Sequence, residues 1–469
     1  MKPEDSYEAI VIGGGKGGKT LAVDLGRSGI RTALIERDPA MVGGTCINVA
    51  CIPTKAFIAS ARLAAAARLG SAYGVKTGDV AVDWRAVRQR VEGVVAGMRA
   101  MNLKNFTSAP ALDFILGTAS FLSPHVVEVH ALDGGIRRLT APKIFINTGT
   151  RPARPSLPGL DRIGPRALTS NTIQQLAELP DHLLILGGSY VALEFAQMFR
   201  RFGSRVTVVE RGAQLLARED EDVAGEITTL LRAEGVDVLT DTVVEGVGAS
   251  PGGVELAVRS KGRPLRLTGS HVLVALGREP VSENLNLASA GIATDPRGFI
   301  TVNERLETTA PGIWAIGDVS GGPQFTHASL DDYRILKTNV FGAGGRTRHD
   351  RLMPFALFIE PELARVGLTE KEARAQGRAL RVAKIPASAI PRARTSGRTE
   401  GFLKAIVDEK TSRILGCTIL AAEAGETIST VQMAMVAGLP YPALRDAVFT
   451  HPTMTEGLNA LFAALPPGD

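Results

Sequence analysis

The sequence predicts an α/β protein built on a duplicated strand–loop–helix–strand unit, and three observations predict it. Glycine is abundant, at 51 of 469 residues, and several copies fall in tight clusters rather than in linkers. The chain is too long for one compact core, and its length corresponds to roughly three domains of ordinary size. One succession of apolar strand, glycine turn, helix and acidic residue occurs twice.

In the first copy, Tyr7–Ile12 reads as a short apolar strand running into Gly13, Gly15 and Gly18. A helix is expected from Lys19, then a strand over Arg31–Ile35 that closes on Glu36. The second copy runs from Leu183–Leu186 through Gly187, Ser189 and Ala192, then a helix, to Arg205–Val209 and Glu210. Glu36 follows Gly13, and Glu210 follows Gly187, by 23 positions.

Each part of this Rossmann-like pattern has a physical task. The first glycine permits a tight turn, the second lets the backbone approach a pyrophosphate, and the third lets helix pack on strand. The helix N-terminus offers free N–H groups to the phosphates. The carboxylate accepts hydrogen bonds from the adenosine ribose. Ser189 and Ala192 are small enough to keep the second turn, with less room for pyrophosphate. Glu210 would repel a 2′-phosphate and favours NADH; Arg205 and Arg211 beside it leave NADPH open.

Composition narrows the remaining classes. The formal charge is +5, and no Lys/Arg run is interleaved with aromatics, so a nucleic-acid partner is not expected. The longest apolar runs, such as Val272–Leu276, have strand length, so no membrane association is expected. Met1–Asp5 lacks the basic start and apolar stretch of a secretory leader, which points to the cytoplasm. Three cysteines cannot build an extracellular disulfide framework. In a reducing compartment a close pair is catalytic or metal-binding.

That pair lies in Gly43-Gly-Thr-Cys46-Ile-Asn-Val-Ala-Cys51-Ile-Pro-Thr-Lys55. Residues five apart in a regular helix have Cα atoms about 8.7 Å apart, whereas a disulfide needs less than about 7 Å. A bonded pair therefore requires a distorted segment. Gly43, Gly44 and Pro53 supply means for it, the proline by pushing residue 52 from helical angles. Two unrelated buried thiols fit the spacing equally well; the place directly after a dinucleotide fold favours a working pair. Cys417, within an apolar strand pattern, is expected in the core.

With these motifs in order, the chain resembles the pyridine nucleotide–disulfide oxidoreductases: dihydrolipoamide dehydrogenase, glutathione reductase and mercuric reductase. Further matches are Ile144-Phe-Ile-Asn-Thr148-Gly149, Val274-Ala-Leu-Gly277-Arg278, Thr309-Ala-Pro-Gly-Ile-Trp-Ala-Ile-Gly317-Asp318 and Phe449-Thr-His451-Pro-Thr-Met-Thr-Glu456. The resemblance implies two Rossmann-like dinucleotide-binding domains, for FAD and NAD(P), and an α+β C-terminal dimerisation domain in a homodimer. The FAD domain would comprise residues 1–155 and 280–346, the nicotinamide domain 156–279 and the interface domain 347–469.

It also implies roles. Cys51 would contact the flavin and Cys46 would attack the acceptor, with Lys55 near the flavin N5 and paired with Glu194. His451, its tautomer fixed by Glu456, would exchange protons in the active site of the partner subunit. Asp318 would bind the ribityl chain. Further cofactor contacts would fall at Gly44, Thr45, Thr148, Gly149 and Gly277.

The acceptor is less determined. A C-terminal cysteine pair of the mercuric reductase kind is missing, and no basic pocket for glutathione's carboxylates can be identified. Gly15-Lys-Gly-Gly-Lys-Thr20, Gly317–Thr326, Ser329–Arg334 and Ile390–Arg394 are similar to the reactive-chlorine-resistance flavoproteins, a group associated with copper(II) reduction and oxidative stress. The first reading is an NAD(P)H-driven reductase of an oxidant or a metal ion held transiently at Cys46 and Cys51, since soft thiolates favour such ions. The alternatives are a dihydrolipoamide dehydrogenase and a flavin redox sensor that does not turn over.

Overall fold

Strands Ala9–Ile12, Thr32–Glu36, Ile144–Ile146 and Ile313–Ala315 pair in parallel, together with the first half of Leu112–Ser123. Ala9–Ile12, Thr32–Glu36 and Ile144–Ile146 are mostly apolar and wholly buried, as strands covered on both faces require. From Gly117 the long strand turns antiparallel and joins Val126–Ala131 and Ile136–Thr140 in a meander. This computed structural model describes residues 5–349 and 351–467; Met1–Glu4, part of the segment read for a leader, lie outside it.

Helix α1 (Lys16–Arg27) begins three residues earlier than the expected Lys19, because Gly15 is its N-cap and Gly17 and Gly18 lie in its first turn. Three helices follow: α2 (Thr45–Asn48), α3 (Cys51–Arg68) and α4 (Trp84–Thr107). A second parallel sheet contains His182–Leu186, Arg205–Val209, Val236–Leu239, His271–Val274 and Ala167–Leu168. Helix α5 (Tyr190–Phe202) leaves its glycine turn. The duplication runs further than the sequence motifs, for here too an antiparallel meander, residues 242–269, precedes a strand of the parallel sheet.

The helices that carry the cysteines are fastened to the second unit by aromatic packing. Phe57 of α3 stacks on Trp84 of α4 at 5.2 Å, and Trp84 meets Phe199 and Phe202 of α5 at 5.9 and 5.5 Å. Burial of each such ring stabilises by roughly 1.5–3 kcal/mol. By length and composition Thr45–Arg68 could cross a membrane, which corrects the expectation of strand-length apolar runs only. It is broken between α2 and α3, and Phe57, Ile58 and Ala61 join the aromatic core.

Residues beyond 354 form an antiparallel sheet in the order Phe355–Leu357, Glu362–Gly367, Ile414–Ala421, Phe402–Asp408, Leu380–Pro386. Cys417 lies in the third of these strands, fully buried, and burial pushes its thiol up to about 12. A thiol held protonated in this way is chemically quiet.

Candidate active site

Cys46 sits in α2 and Cys51 is the first residue of α3, with both sulfurs free as thiols. The break that brings them together falls at Val49 (φ −143°, ψ 8°) and Ala50 (φ −133°, ψ −108°). It was expected at residue 52. Ile52 is helical instead, and Pro53 occupies the first turn of α3, where a missing N–H leaves no bond unmade.

This placement sets the two thiols apart chemically. The Cys46 thiol donates toward the Cys51 sulfur and lowers Cys51 to about 6, with Lys55 and Thr326 acting in the same direction against burial. Cys46, the donor and itself partly buried, is held far above the ordinary thiol range. The positive end of α3 beneath Cys51 further favours a thiolate. Thr326 Oγ1 lies 3.7 Å from Cys51 Sγ. Thr326 shows no sign of this role in the sequence, since only the folded chain brings it to the cysteine pair.

Lys55, one turn beyond Cys51 on the same face of α3, donates to both carboxylate oxygens of Glu194 in α5, at 2.8 and 2.7 Å. Its ammonium also lies 4.8 Å from the centre of the Phe358 ring, whose backbone N–H donates to Glu194 Oε1 at 3.0 Å.

One cleft of about 450 Å³ is lined by Gly13, Gly15, Glu36, Gly44, Thr45, both cysteines, Lys55, Thr148, Gly149, Glu194 and Asp318. Gly18 lies just behind, its N–H donating to Asn147 Oδ1 at 2.9 Å. Glu36 accepts from the backbone of Gly14 at 3.0 Å and Asp38 at 3.3 Å, and burial pushes its carboxyl up. Burial also raises Asp318, against Thr150 Oγ1, which donates to it at 2.9 Å, and the nearby Arg278 charge. A bare glycine loop beside two buried acids fits a dinucleotide. Asn171, on the same wall, keeps a buried Oδ1 without a partner among the described residues.

The second turn repeats the first. Glu210 accepts from Gly188 and Gly212, each at 2.7 Å. Ser189 is the N-cap of α5 and Ala192 is fully buried in its first turn. Gly277 accepts from the Ala153 N–H at 3.0 Å, beside the paired crossover strands Thr150–Pro152 and Arg278–Pro280. His451 Nδ1 lies 2.8 Å from Glu456 Oε2. Neither residue lines the cleft, and the imidazole is exposed on its own subunit.

Residues 7–332 match the pyridine nucleotide-disulphide oxidoreductase family, and residues 353–461 match its dimerisation domain. The chain belongs to this family. It is an FAD-dependent disulfide oxidoreductase with NAD(P)H as electron donor. It is 44% identical to the probable pyridine nucleotide-disulfide oxidoreductase RclA of Escherichia coli K12, over 98% of this chain and 99% of that one. A mercuric reductase of Streptomyces lividans is 33% identical, covering 98% and 96%. A dihydrolipoyl dehydrogenase of Bacillus subtilis is 31% identical, covering 97% and 96%. The solved copper(II) complex of the HOCl-induced flavoprotein disulfide reductase RclA from Escherichia coli matches with a TM-score of 0.90 at 43% identity, covering 98% and 99%.

A second cavity, of about 520 Å³, also reaches Cys46 and is lined by basic residues, where the sequence offered no identifiable basic pocket. Lys16, Lys19 and Arg27 line it, brought together by successive turns of α1. Lys19 is buried, its Nζ donating to the Gly43 carbonyl at 3.1 Å. Burial, then the charge of Lys16, lowers its ammonium to about 8. In the sequence these lysines form no run; their spacing on α1 is the local signal that gathers them.

Proposed function

We propose that this enzyme passes reducing equivalents from a nicotinamide nucleotide to the Cys46/Cys51 dithiol and on to a metal ion such as Cu(II) or Hg(II), or to an oxidant. The observation that carries the reading is the sulfur pair itself, with a depressed Cys51 beside the Lys55–Glu194 pair in the cleft that also holds the first glycine loop and Asp318. Bound FAD supplies hydride acceptance and electron relay between NAD(P)H and the sulfurs. Gly13, Gly15, Gly18, Glu36, Gly44, Thr45, Thr148, Gly149 and Asp318 would hold that group, and Gly187, Ser189, Ala192, Glu210 and Gly277 would hold the nicotinamide nucleotide. Glu210 favours NADH.

The chain's own part is to keep Cys51 anionic, through the Cys46 thiol, Lys55 and Thr326. Cys46 is the sulfur that meets the acceptor, since it also lines the outer cavity. Forming the Cys46–Cys51 bond from the Cys46 thiol and the Cys51 thiolate releases one proton and two electrons, and the electrons convert two Cu(II) to two Cu(I) or one Hg(II) to Hg(0). In a homodimer, the partner subunit's His451, oriented by the partner subunit's Glu456, takes up or returns the proton at Cys46. We divide the subunit into residues 1–155 with 280–346, 156–279 and 347–469, and place it in the cytoplasm, where such dithiols persist. The copper complex of RclA supports the choice of acceptor, and its HOCl induction supports a role in oxidative stress.

NADH mixed with oxidised enzyme in a stopped-flow instrument is expected to raise long-wavelength charge-transfer absorbance. Copper-dependent NADH oxidation is expected to disappear in Cys46→Ser and persist in Cys417→Ser. Efficient dihydrolipoamide turnover without metal-dependent NADH oxidation would reject the proposal.

A further inference from the structure

Resting on the metal-reductase reading, we infer that the metal reaches Cys46 as an anionic organic complex rather than as a free cation. The outer cavity carries the charge for this. Lys16, Lys19 and Arg27 line it, and neither lysine pairs with a carboxylate among the described residues. Asp24, on the same wall, is already engaged by the Tyr333 hydroxyl at 3.1 Å and by the Lys337 ammonium. A free divalent cation approaching Cys46 along this wall meets like charge. A chelate with surplus carboxylate meets the opposite sign, and its ligand shell gains where an aquo ion's does not.

The remaining lining suits the organic body of such a chelate. Ile52, Met98 and Phe106 supply apolar surface, and Asn102 a neutral polar group. At about 520 Å³ the cavity has room for far more than a bare ion. Lys19 adds a buried charge to this wall. It is nine-tenths buried, held by one carbonyl, and carries its charge close enough to Cys46 for the two to influence each other electrostatically. A buried ammonium without an acidic partner is unfavourable, and an anion in the cavity removes that penalty.

The test compares two copper(II) probes on the NADH-reduced holoenzyme: the nitrilotriacetate complex, which is singly negative, and the bis-ethylenediamine complex, which is doubly positive. The readout is the ratio of their kcat/KM values, so a general loss of folding or flavin cancels. In the Lys16→Gln/Arg27→Gln double variant the ratio, anionic over cationic, should fall about tenfold. On the wild type, added salt should slow the anionic probe and leave or speed the cationic one. An unchanged ratio, or equal salt dependence, overturns the inference while the metal-reductase reading stands. Failure of both probes to oxidise the reduced dithiol overturns that reading as well. Glutathione disulfide outpacing the anionic chelate would transfer the charge preference to a disulfide acceptor and overturn the metal assignment.

Discussion

The two glycine turns share a backbone and differ in one facing side chain. In the first, Gly13 donates to Ile35 O at 2.8 Å; in the second, Gly187 donates to Val209 O at 2.9 Å. Each turn lies beside a strand extension reached by the same bond, Asn147 N to Ile12 O at 2.7 Å and Ala275 N to Leu186 O at 2.9 Å. Asn147 and Ala275 are thus equivalent positions. The Asn147 amide fills the first turn, accepting from Gly18 and donating to Ile316 O at 2.8 Å. A Cβ at Gly15 would lie 2.7 Å from Asn147 Oδ1. In the second copy Ala275 leaves that space free, and Ser189 and Ala192 occupy the positions that must be glycine in the first. The braced turn suits a group held throughout turnover, and the open one suits a nucleotide that comes and goes.

The strongest way to break this comparison is Gly18→Ala. The new Cβ would lie 2.5 Å from Gly13 O and 2.9 Å from Asn147 Cβ, both on or next to rigid backbone. Overpacking of this kind costs about 1–3 kcal/mol, and here it acts on the loop proposed to hold the flavin. The expected result is folded dimer purified nearly free of FAD, read from its visible absorbance. Full flavin content would show that the third glycine is not needed.

A double-mutant cycle sharpens it. Gly15→Ala alone should destabilise flavin-free protein by about 1–3 kcal/mol. In the Asn147→Ala background the same change should cost much less, because its clash is with the Asn147 side chain. Melting curves of the four proteins give the coupling energy. A value near zero would separate the two residues and leave Ser189 without its explanation.

These turns also mark how far the sequence can be read. Both were legible because a glycine loop with a distant acid is local chemistry, and the Cys46/Cys51 pair was legible for the same reason. Asn147 was quoted within a motif, yet its part as the brace depends on Gly18 and Ile316, 129 and 169 residues away in the chain. Thr326 reaches Cys51 across 275 positions, and no local pattern announces that. The helix break was misplaced because Pro53 looked like the breaker, whereas a proline in a first turn is tolerated. The basic pocket was missed because Lys16, Lys19 and Arg27 form no run; the helical turn gathers them.

The two units meet at Lys55 and Glu194, and there the expected effect is smallest but its sign is informative. Lys55 lowers the Cys51 thiol, which stands at about 6, and Glu194 raises it. Lys55→Met should therefore move the pH midpoint of the charge-transfer absorbance upward by about one unit, so that less thiolate is present at neutral pH. Glu194→Gln removes the opposing charge and should move it downward. Nonspecific damage to the α3–α5 contact would move both variants the same way. Opposite shifts, measured by absorbance titration of the NADH-reduced enzyme, require that the second unit tunes the sulfur chemistry of the first through charge.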